Sequence, residues 1–277
     1  MMDYHVHTML CSHARGTMEQ YVDHAVRAGL SEICFLDHLT LNEKGRDLSM
    51  TTDEVALYYY SARRLQAACR GRIRVKVGLE VDFTPEHAET ARSVAERFDF
   101  DVIGGSIHFV EEKNLVSSRT SRSHNEKPDA SIYEGYLDLL DMMLDCTYID
   151  IVCHMDIIKK FGTIPPDWFY QRAGDLLDKI AQTGKVLEIN TSGAAHPAGE
   201  IYPAPRLAEQ CGSKNIPVCL GSDAHLPEQV GRGFGQAAAV LREAGITSIT
   251  GFTRKIPYQV SLESLYTDTE IPEKPEA

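Results

Sequence analysis

The chain has 277 residues, of which 43% are hydrophobic and 25% are charged. This composition is typical of a globular protein, and the length allows either one large α/β domain or two smaller domains. The net charge of −12 argues against nucleic-acid binding through a basic surface. It does not exclude an anionic substrate, because bound divalent cations can dominate the field at a site.

Seven cysteines are scattered along the chain without a C-x-x-C motif, and several lie in apolar runs such as Ile33-Cys34-Phe35. An odd number of such cysteines is typical of reduced thiols in a cytoplasmic protein. No apolar stretch approaches the ~18 residues of a membrane-spanning helix, and the N-terminus has no signal-peptide pattern. We therefore expect a cytoplasmic protein without a membrane partner, and we leave its oligomeric state open.

Short apolar runs alternate with helical patterns along the chain. Strands are predicted at residues 3–7, 33–37, 74–79, 101–106, 148–153, 186–190 and 217–221. Helices are predicted at residues 17–29, 52–70, 85–97, 132–145, 166–183, 204–212 and 235–244. The strands are apolar on both faces, which is typical of parallel strands covered by helices. Strand–helix units that repeat without a break in composition predict a single α/β domain built as a parallel barrel.

Two segments lie outside this alternation. Residues 109–131 form a long polar insert, and a loop of that size in a compact domain is often functional. Residues 267–277 contain two prolines and four acidic residues, and we expect a disordered tail there. The folded domain is therefore expected to span residues 1–266.

The run Asp3-Tyr4-His5-Val6-His7 places two histidines one residue apart on the first predicted strand. Alternate strand residues point to the same side, so both imidazoles can face one metal ion. Two nearby histidines are by themselves a modest signal. They gain weight because residues of the same type recur near the ends of the later strands.

The recurring ligand-type residues are His13, His38, Glu80, His108, His154, Asp223 and His225. Right-handed crossovers bring the carboxyl ends of parallel strands to one face of a barrel, where the active sites of such barrels lie. Imidazole and carboxylate donors favour Zn, Fe or Mn over Ca or Mg. Since nine ligands are too many for one ion, we predict two or three divalent transition-metal ions.

A structural interpretation competes with the metal site. Any one strand-end histidine is commonly a hydrogen-bonded structural residue, and we assign that role to His24, His87 and His196. This structural interpretation explains the nine ligand-type residues poorly, because a structural role gives no reason for such residues to recur near the ends of successive strands.

A family resemblance rests on several motifs taken together. They are D-Y-H-V-H-T (3–8), C-S-H-A-R-G (11–16), F-L-D-H (35–38), G-L-E-V-D (78–82), G-S-I-H (105–108), C-H-M-D (153–156), E-I-N-T-S-G (188–193) and G-S-D-A-H (221–225). In this order they resemble the PHP (polymerase and histidinol phosphatase) superfamily, and most closely its histidinol-phosphatase branch. The resemblance covers residues 3–260.

The resemblance implies a distorted (β/α)7 barrel that holds three metal ions. It assigns the ligands to the ions as follows: the first has His5, His7, Glu80 and Asp223; the second has Glu80, His108 and His154; the third has His13, His38 and His225. Glu80 then bridges two ions.

The resemblance further implies a phosphomonoester hydrolase for a small phosphorylated metabolite, most closely L-histidinol phosphate in histidine biosynthesis. Metal ions supply hydroxide from a bridging water and clamp the phosphoryl oxygens during in-line attack. Besides Glu80, the candidate catalytic residues are Asp37 and Asp82, which either protonate the leaving group or orient a histidine. Arg119 and Arg122 in the polar insert are candidates for binding phosphate.

One departure from the family pattern follows the N-T-S-G motif. The histidinol phosphatases tend to have a basic residue within two or three positions, whereas this chain has Ala194-Ala195-His196-Pro197. Arg15, Arg206 and His196 are alternatives for that role.

Three other functions stay open. A PHP phosphoesterase for a nucleotide or sugar phosphate shares every motif. A non-catalytic PHP accessory barrel is disfavoured by the full ligand set. A metal-dependent amidohydrolase shares the barrel and the H-x-H, but has a carboxylated lysine at the end of the fourth strand, where this chain has His108.

Overall fold

Eleven strands are found in the parts of the chain that the structure, a computed structural model, describes: residues 1–111, 113–117 and 128–263. In chain order they are β1 (Met2–Val6), β2 (Glu32–Leu39), β3 (Arg74–Asp82), β4 (Val102–Ser106), β5 (Phe109–Val110), β6 (Lys113–Asn114), β7 (Ile151–Val152), β8 (Val186–Asn190), β9 (Val218–Gly221), β10 (Ser248–Thr253) and β11 (Ile256–Ser261). Seven of them form one sheet in the order β1-β2-β3-β4-β7-β8-β9, in which each neighbouring pair is parallel. The other four pair as the antiparallel hairpins β5–β6 and β10–β11.

The two outer strands of the sheet also meet. Val6, the last residue of β1, forms a parallel bridge with Ala224, which follows β9. The backbone N–H of His7 donates to the carbonyl of Ala224 at 3.0 Å, and the N–H of Ala224 donates to the carbonyl of His5 at 3.3 Å. The sheet is therefore nearly closed, which confirms the distorted (β/α)7 barrel.

Helices follow the strands at the expected places. They are α1 (Met18–Arg27), α2 (Val55–Ala68), α3 (Ala88–Glu96), α4 (Ala130–Leu144), α5 (Asp167–Thr183), α6 (Pro205–Ser213) and α7 (Phe234–Glu243). Local signals define their ends: Thr17 and Gln20 form a capping box at the start of α1, and Gly184 ends α5 in the left-handed conformation. In the described ranges, no helix has both the length and the apolar character needed to cross a membrane.

The apolar strands are buried on both faces, as their sequence predicts. Ile33, Cys34, Phe35 and Leu36 of β2 have no exposed surface, because one face packs inside the barrel and the other against the surrounding helices.

The hairpin β10–β11 was not predicted, and it packs against the amino ends of the barrel strands. The Tyr258 hydroxyl lies 2.6 Å from the carboxylate of Glu32 at the start of β2. Lys76 Nζ of β3 lies 2.6 Å from Thr253 Oγ1, and Lys255 Nζ lies 3.1 Å from Asp150 Oδ2 just before β7. This end of the barrel is covered, so the site must be reached from the carboxyl ends.

Several boundaries differ from the expectation. β2 and β3 continue further than predicted, so His38 and Glu80 lie within strands rather than after them. The polar insert begins with the small hairpin β5–β6 instead of an irregular loop. Arg119 and Arg122, and the tail at 267–277, lie outside the described residues, so the predicted domain limits of 1–266 stay a prediction.

Candidate metal centre

Nine ligand-type side chains converge at the carboxyl end of the barrel, and Glu80 lies at their centre. Its Oε2 is 2.7 Å from His38 Nδ1 and 3.3 Å from His5 Nε2. Its Oε1 is 2.8 Å from His154 Nε2 and 3.6 Å from His108 Nε2. A carboxylate with imidazoles near both of its oxygens could be shared by two ions, and the bridging role of Glu80 stays a prediction.

Asp223 and the remaining histidines form the other side of the cluster. Asp223 Oδ1 lies 2.9 Å from His7 Nε2, and the Nε2 atoms of His13 and His225 lie 2.8 Å apart. Potential ligand atoms within 4.8 Å of one another occur in several overlapping groups. They include His5 with Glu80 and His154, His5 with His7 and Asp223, and His7 with His38 and His225. The group of His5, His7 and Asp223 falls within one predicted ion, whereas the other two groups combine ligands assigned to different ions, so the assignment stays a prediction.

The donor set fits divalent cations. His5 Nε2 and Glu80 Oε2 are buried close to other ligand atoms, yet they make no hydrogen bond of favourable geometry among the described residues. Such an arrangement is costly without a ligand. Burial lowers the pKa of His13 to about 4 and that of His108 well below its usual value, so these two imidazoles are neutral donors. Burial would also lower the pKa of His5 and His7, but the carboxylates around them raise it, to about 9 for His7, so a bound cation would displace protons from these two.

The two central carboxylates are held in the ionised form. Burial by itself would raise their pKa values, but the histidines around them outweigh it. His38 and His5 act most strongly on Glu80, and His5 and His7 on Asp223, so that both carboxyl pKa values lie well below their usual range. The cluster therefore combines imidazole nitrogens, neutral at His13 and His108, with anionic oxygen donors, and Zn, Fe and Mn bind such donor sets.

A further ring of carboxylates orients the histidines. Asp37, fully buried, lies 3.3 Å from His7 Nδ1 and also accepts hydrogen bonds from the backbone N–H and hydroxyl of Thr8. Asp82 accepts from the backbone N–H of His108 at 3.0 Å. Neither carboxylate lines the cavity, so the geometry supports the orienting role for Asp37 and Asp82 rather than proton transfer to a leaving group.

Glu188 also orients histidines of the cluster, and the sequence analysis did not identify it. Its Oε1 lies 2.7 Å from His5 Nδ1, and its Oε2 accepts from the backbone N–H of His154 at 2.7 Å. A Cβ on Gly221 of the neighbouring strand would lie 1.9 Å from Glu188 Oε1, so only glycine leaves room for this carboxylate. The motif E-I-N-T-S-G contained the signal, but its glutamate received no role.

A cavity of about 500 Å³ opens above the cluster. Lys160, His196 and Arg232 lie near one another in its lining and are here called the cationic wall. A second part of the lining, here called the uncharged wall, combines the short 3₁₀ turn at Glu43–Leu48 with the hairpin β5–β6, which meet where Gly45 lies against Phe109. Its residues are Thr40, Gly45, Leu48, Phe109, Asn114 and Val116.

The alternatives for the missing basic residue can now be located. Arg206 packs over the ring of Tyr170, 3.1 Å from its centroid, and Arg15 lines a different surface cleft. Only His196 of the three faces the cavity.

The fold and the ligand cluster together define a metal-binding α/β barrel. A family model described as the PHP domain matches residues 3–192. A probable histidinol-phosphatase of Deinococcus radiodurans is 34% identical over 257 residues, which cover 92% of this chain and 98% of the relative. The histidinol-phosphatase of Lactococcus lactis is 25% identical, with 91% and 94% covered.

A solved structure agrees with these relatives. It is the crystal structure of the Lactococcus lactis histidinol phosphate phosphatase complexed with zinc, L-histidinol and phosphate. It matches with a TM-score of 0.81 and 21% identity, covering 93% of this chain and 98% of the other. The chain belongs to the PHP domain family, in the branch of the histidinol-phosphatases, which confirms the resemblance.

Proposed function

We propose that this protein is a metal-dependent phosphomonoesterase that hydrolyses L-histidinol phosphate to L-histidinol and phosphate in histidine biosynthesis. The observation that carries the proposal is the convergence of nine ligand-type side chains, with Glu80 at their centre, at the base of a cavity with one cationic and one uncharged wall. The relatives of similar length named as histidinol-phosphatases point to the same substrate.

Two or three divalent transition-metal ions fit the cluster, and the related crystal structure contains zinc. Such ions lower the pKa of water and stabilise charge on phosphoryl oxygens when they are bound. In the reaction, water supplies a new bond to phosphorus, the ester bond to phosphorus breaks, and the alcohol oxygen gains a proton. The residues that would hold the ions are the nine ligand-type side chains.

Lys160 is a cation of this chain that lies near the cluster. The neighbouring Lys159 is buried and turned inward, with its Nζ 2.8 Å from Asp156 and 2.7 Å from Glu200. Lys160 instead lines the cavity, where burial lowers its pKa and the charges of Asp223 and Glu80 oppose that shift. A lysine at this place binds the phosphoryl oxygens as a point charge.

The uncharged wall suits the imidazole half of the substrate. Phe109, Leu48 and Val116 offer an apolar surface for a flat ring. The Oδ1 of Asn114 accepts hydrogen bonds from the backbone N–H groups of Val116 and Ser117, at 2.9 and 2.8 Å. Among the described residues no partner is recorded for the amide NH2 of Asn114, which can donate to a ring nitrogen of the substrate.

The proposal is tested by turnover with a panel of substrates. Zinc-, iron- or manganese-loaded protein is assayed with histidinol phosphate, a nucleoside monophosphate, a sugar phosphate and a phosphodiester. We expect kcat/KM for histidinol phosphate to exceed that for the other compounds by at least about tenfold. Preference for a nucleotide or sugar phosphate would replace the substrate assignment, and no hydrolysis with two or three ions bound would refute the activity.

We also propose a cytoplasmic location and no nucleic-acid partner. Seven cysteines without a disulfide and the net charge of −12 support these proposals. Fractionation of the producing cells and a nucleic-acid binding assay at low salt test them.

A further inference from the structure

Arg232 is a cation of the cavity that the sequence interpretation did not consider. It lies in the loop between β9 and α7 and lines the same cavity as the ligand cluster. Its Nε is buried and has no hydrogen-bond partner among the described residues. A buried guanidinium N–H without a partner is costly in a folded protein, and an anion bound at the guanidinium would offset that cost.

The backbone on both sides of Arg232 is held firmly. Gly231 and Gly233 adopt left-handed conformations, with φ of +71° and +74°. The N–H of Gly231 donates to the buried carboxylate of Asp3 at 2.9 Å, and the carbonyl of Arg232 accepts from Thr191 Oγ1 at 2.5 Å. A residue whose backbone is fixed in this way loses little backbone conformational entropy when it binds a ligand.

Charge in this part of the cavity favours an anion. Lys160 and Arg232 share the cationic wall with His196. Burial, with Lys160 and Arg232 nearby, lowers the pKa of His196 to about 4, so its imidazole is neutral near pH 7. The positive charge of the wall therefore comes from Lys160 and Arg232, which both lie close enough to act on His196, and both attract an anion in the cavity.

We propose that Arg232, acting with Lys160, binds the non-bridging oxygens of the phosphoryl group, so that the loop after β9 supplies the basic residue that the loop after β8 lacks. The planar guanidinium carries N–H donors in a rigid fork that matches two phosphate oxygens. This inference rests on the proposed function, because it assigns a residue to the phosphate end of that substrate.

The test measures binding of inorganic phosphate to metal-loaded protein, by calorimetry and by competitive inhibition. We expect Arg232→Gln to weaken phosphate binding by at least about tenfold and to raise KM for histidinol phosphate, with the metal content unchanged. Arg206→Gln is the matched control, since Arg206 packs on Tyr170 outside the cavity, and it should bind phosphate like the wild type. Arg232→Lys keeps the charge without the fork and should be intermediate.

A rescue variant separates phosphate binding from folding. Ala195 lines the cavity in the loop after β8, so Ala195→Arg in the Arg232→Gln background should restore part of the phosphate affinity. Phosphate binding by Arg232→Gln within twofold of the wild type would overturn the inference. If Arg232→Gln does not fold, wild-type affinity in Arg232→Lys would overturn it instead.

The two proposals fail in different ways. Wild-type protein that binds phosphate but hydrolyses no phosphomonoester contradicts the proposed function, while the loss of phosphate binding in Arg232→Gln still supports the role of Arg232. An active wild type with an unaffected Arg232→Gln contradicts only the role of Arg232.

Discussion

At the scale of single residues, the site depends on which nitrogen of each imidazole has a carboxylate partner and which nitrogen is left to bind a metal ion. Glu188 holds the Nδ1 of His5, and Asp37 lies beside the Nδ1 of His7, which leaves the Nε2 of each histidine directed into the cluster. Sequence motifs identify such histidines by type and position. They do not identify a partner such as Glu188, because it lies 183 residues away in the chain and meets His5 only across the closed barrel.

Glu188→Gln should reduce metal affinity without removing a ligand. The amide group can replace only one of the two acceptors that now serve His5 Nδ1 and the His154 backbone N–H, so one contact is lost. Loss of such an orienting contact costs about 10–100-fold in metal affinity. The metal content after dialysis against a series of buffered zinc concentrations measures this affinity. Glu209→Gln, at an exposed position of α6, is the control. Equal metal affinity in Glu188→Gln and wild type would contradict the orienting role.

His196 should contribute no charge to phosphate binding. Its pKa of about 4 means that it is neutral throughout pH 5.5–8, with burial as the main cause. We therefore expect His196→Asn to leave the pH dependence of KM for histidinol phosphate unchanged over that range. A shift of the acidic limb of the KM profile in His196→Asn would show that His196 is protonated in the cavity.

At the scale of elements, two small additions to the barrel determine the shape of the site. The turn at Glu43–Leu48 and the hairpin β5–β6 form the uncharged wall. They fit closely at Gly45, where a Cβ would lie 2.9 Å from the ring of Phe109 and 2.5 Å from Thr40 Cγ2. The sequence predicted a functional insert after β4 but not a hairpin, because two-residue strands carry no periodic pattern.

Phe109→Leu should separate recognition of the organic half from recognition of phosphate. The variant keeps an apolar side chain but loses the flat ring. We expect kcat/KM for histidinol phosphate to fall by about 10-fold or more, while binding of inorganic phosphate stays within twofold of wild type. Phe98→Leu, in an aromatic cluster with Tyr59 and Phe100 away from the cavity, is the control. An equal loss of phosphate affinity in Phe109→Leu would contradict the division into two walls.

At the scale of the whole molecule, metal ions should stabilise the fold, because their ligands come from β1, β2, β3 and the loops after β1, β4, β7 and β9. A ligand that binds only the folded state at 100–1,000 times its Kd adds about 3–4 kcal/mol. We expect a chelator to lower Tm by roughly 10 °C, and added zinc to restore it. Metal analysis verifies that the chelator has removed the ions. If Tm is then unchanged, metal ions bound at the cluster do not link the strands.

Much of the fold and of the ligand set is a local property of the sequence. Strands such as β2 are apolar on both faces, which predicts parallel strands under helices, and ligand-type residues stand at or near their carboxyl ends. The right-handed crossover then brings those ends to one face without further information. For this reason the barrel was predicted correctly, and all nine candidate ligands meet in one cluster.

Only the tertiary structure decided which side chains touch. The central place of Glu80 depends on sheet register and closure, and the hairpin β10–β11 covers the amino end through contacts with Glu32, Lys76 and Asp150 that are distant in sequence. The tertiary structure also determines which basic residues face the cavity. Arg206 is a candidate by residue type but packs on Tyr170, whereas Lys160 lines the cavity. Sequence patterns fix the period and the face of each element, but contacts between elements depend on how the closed sheet places them in space.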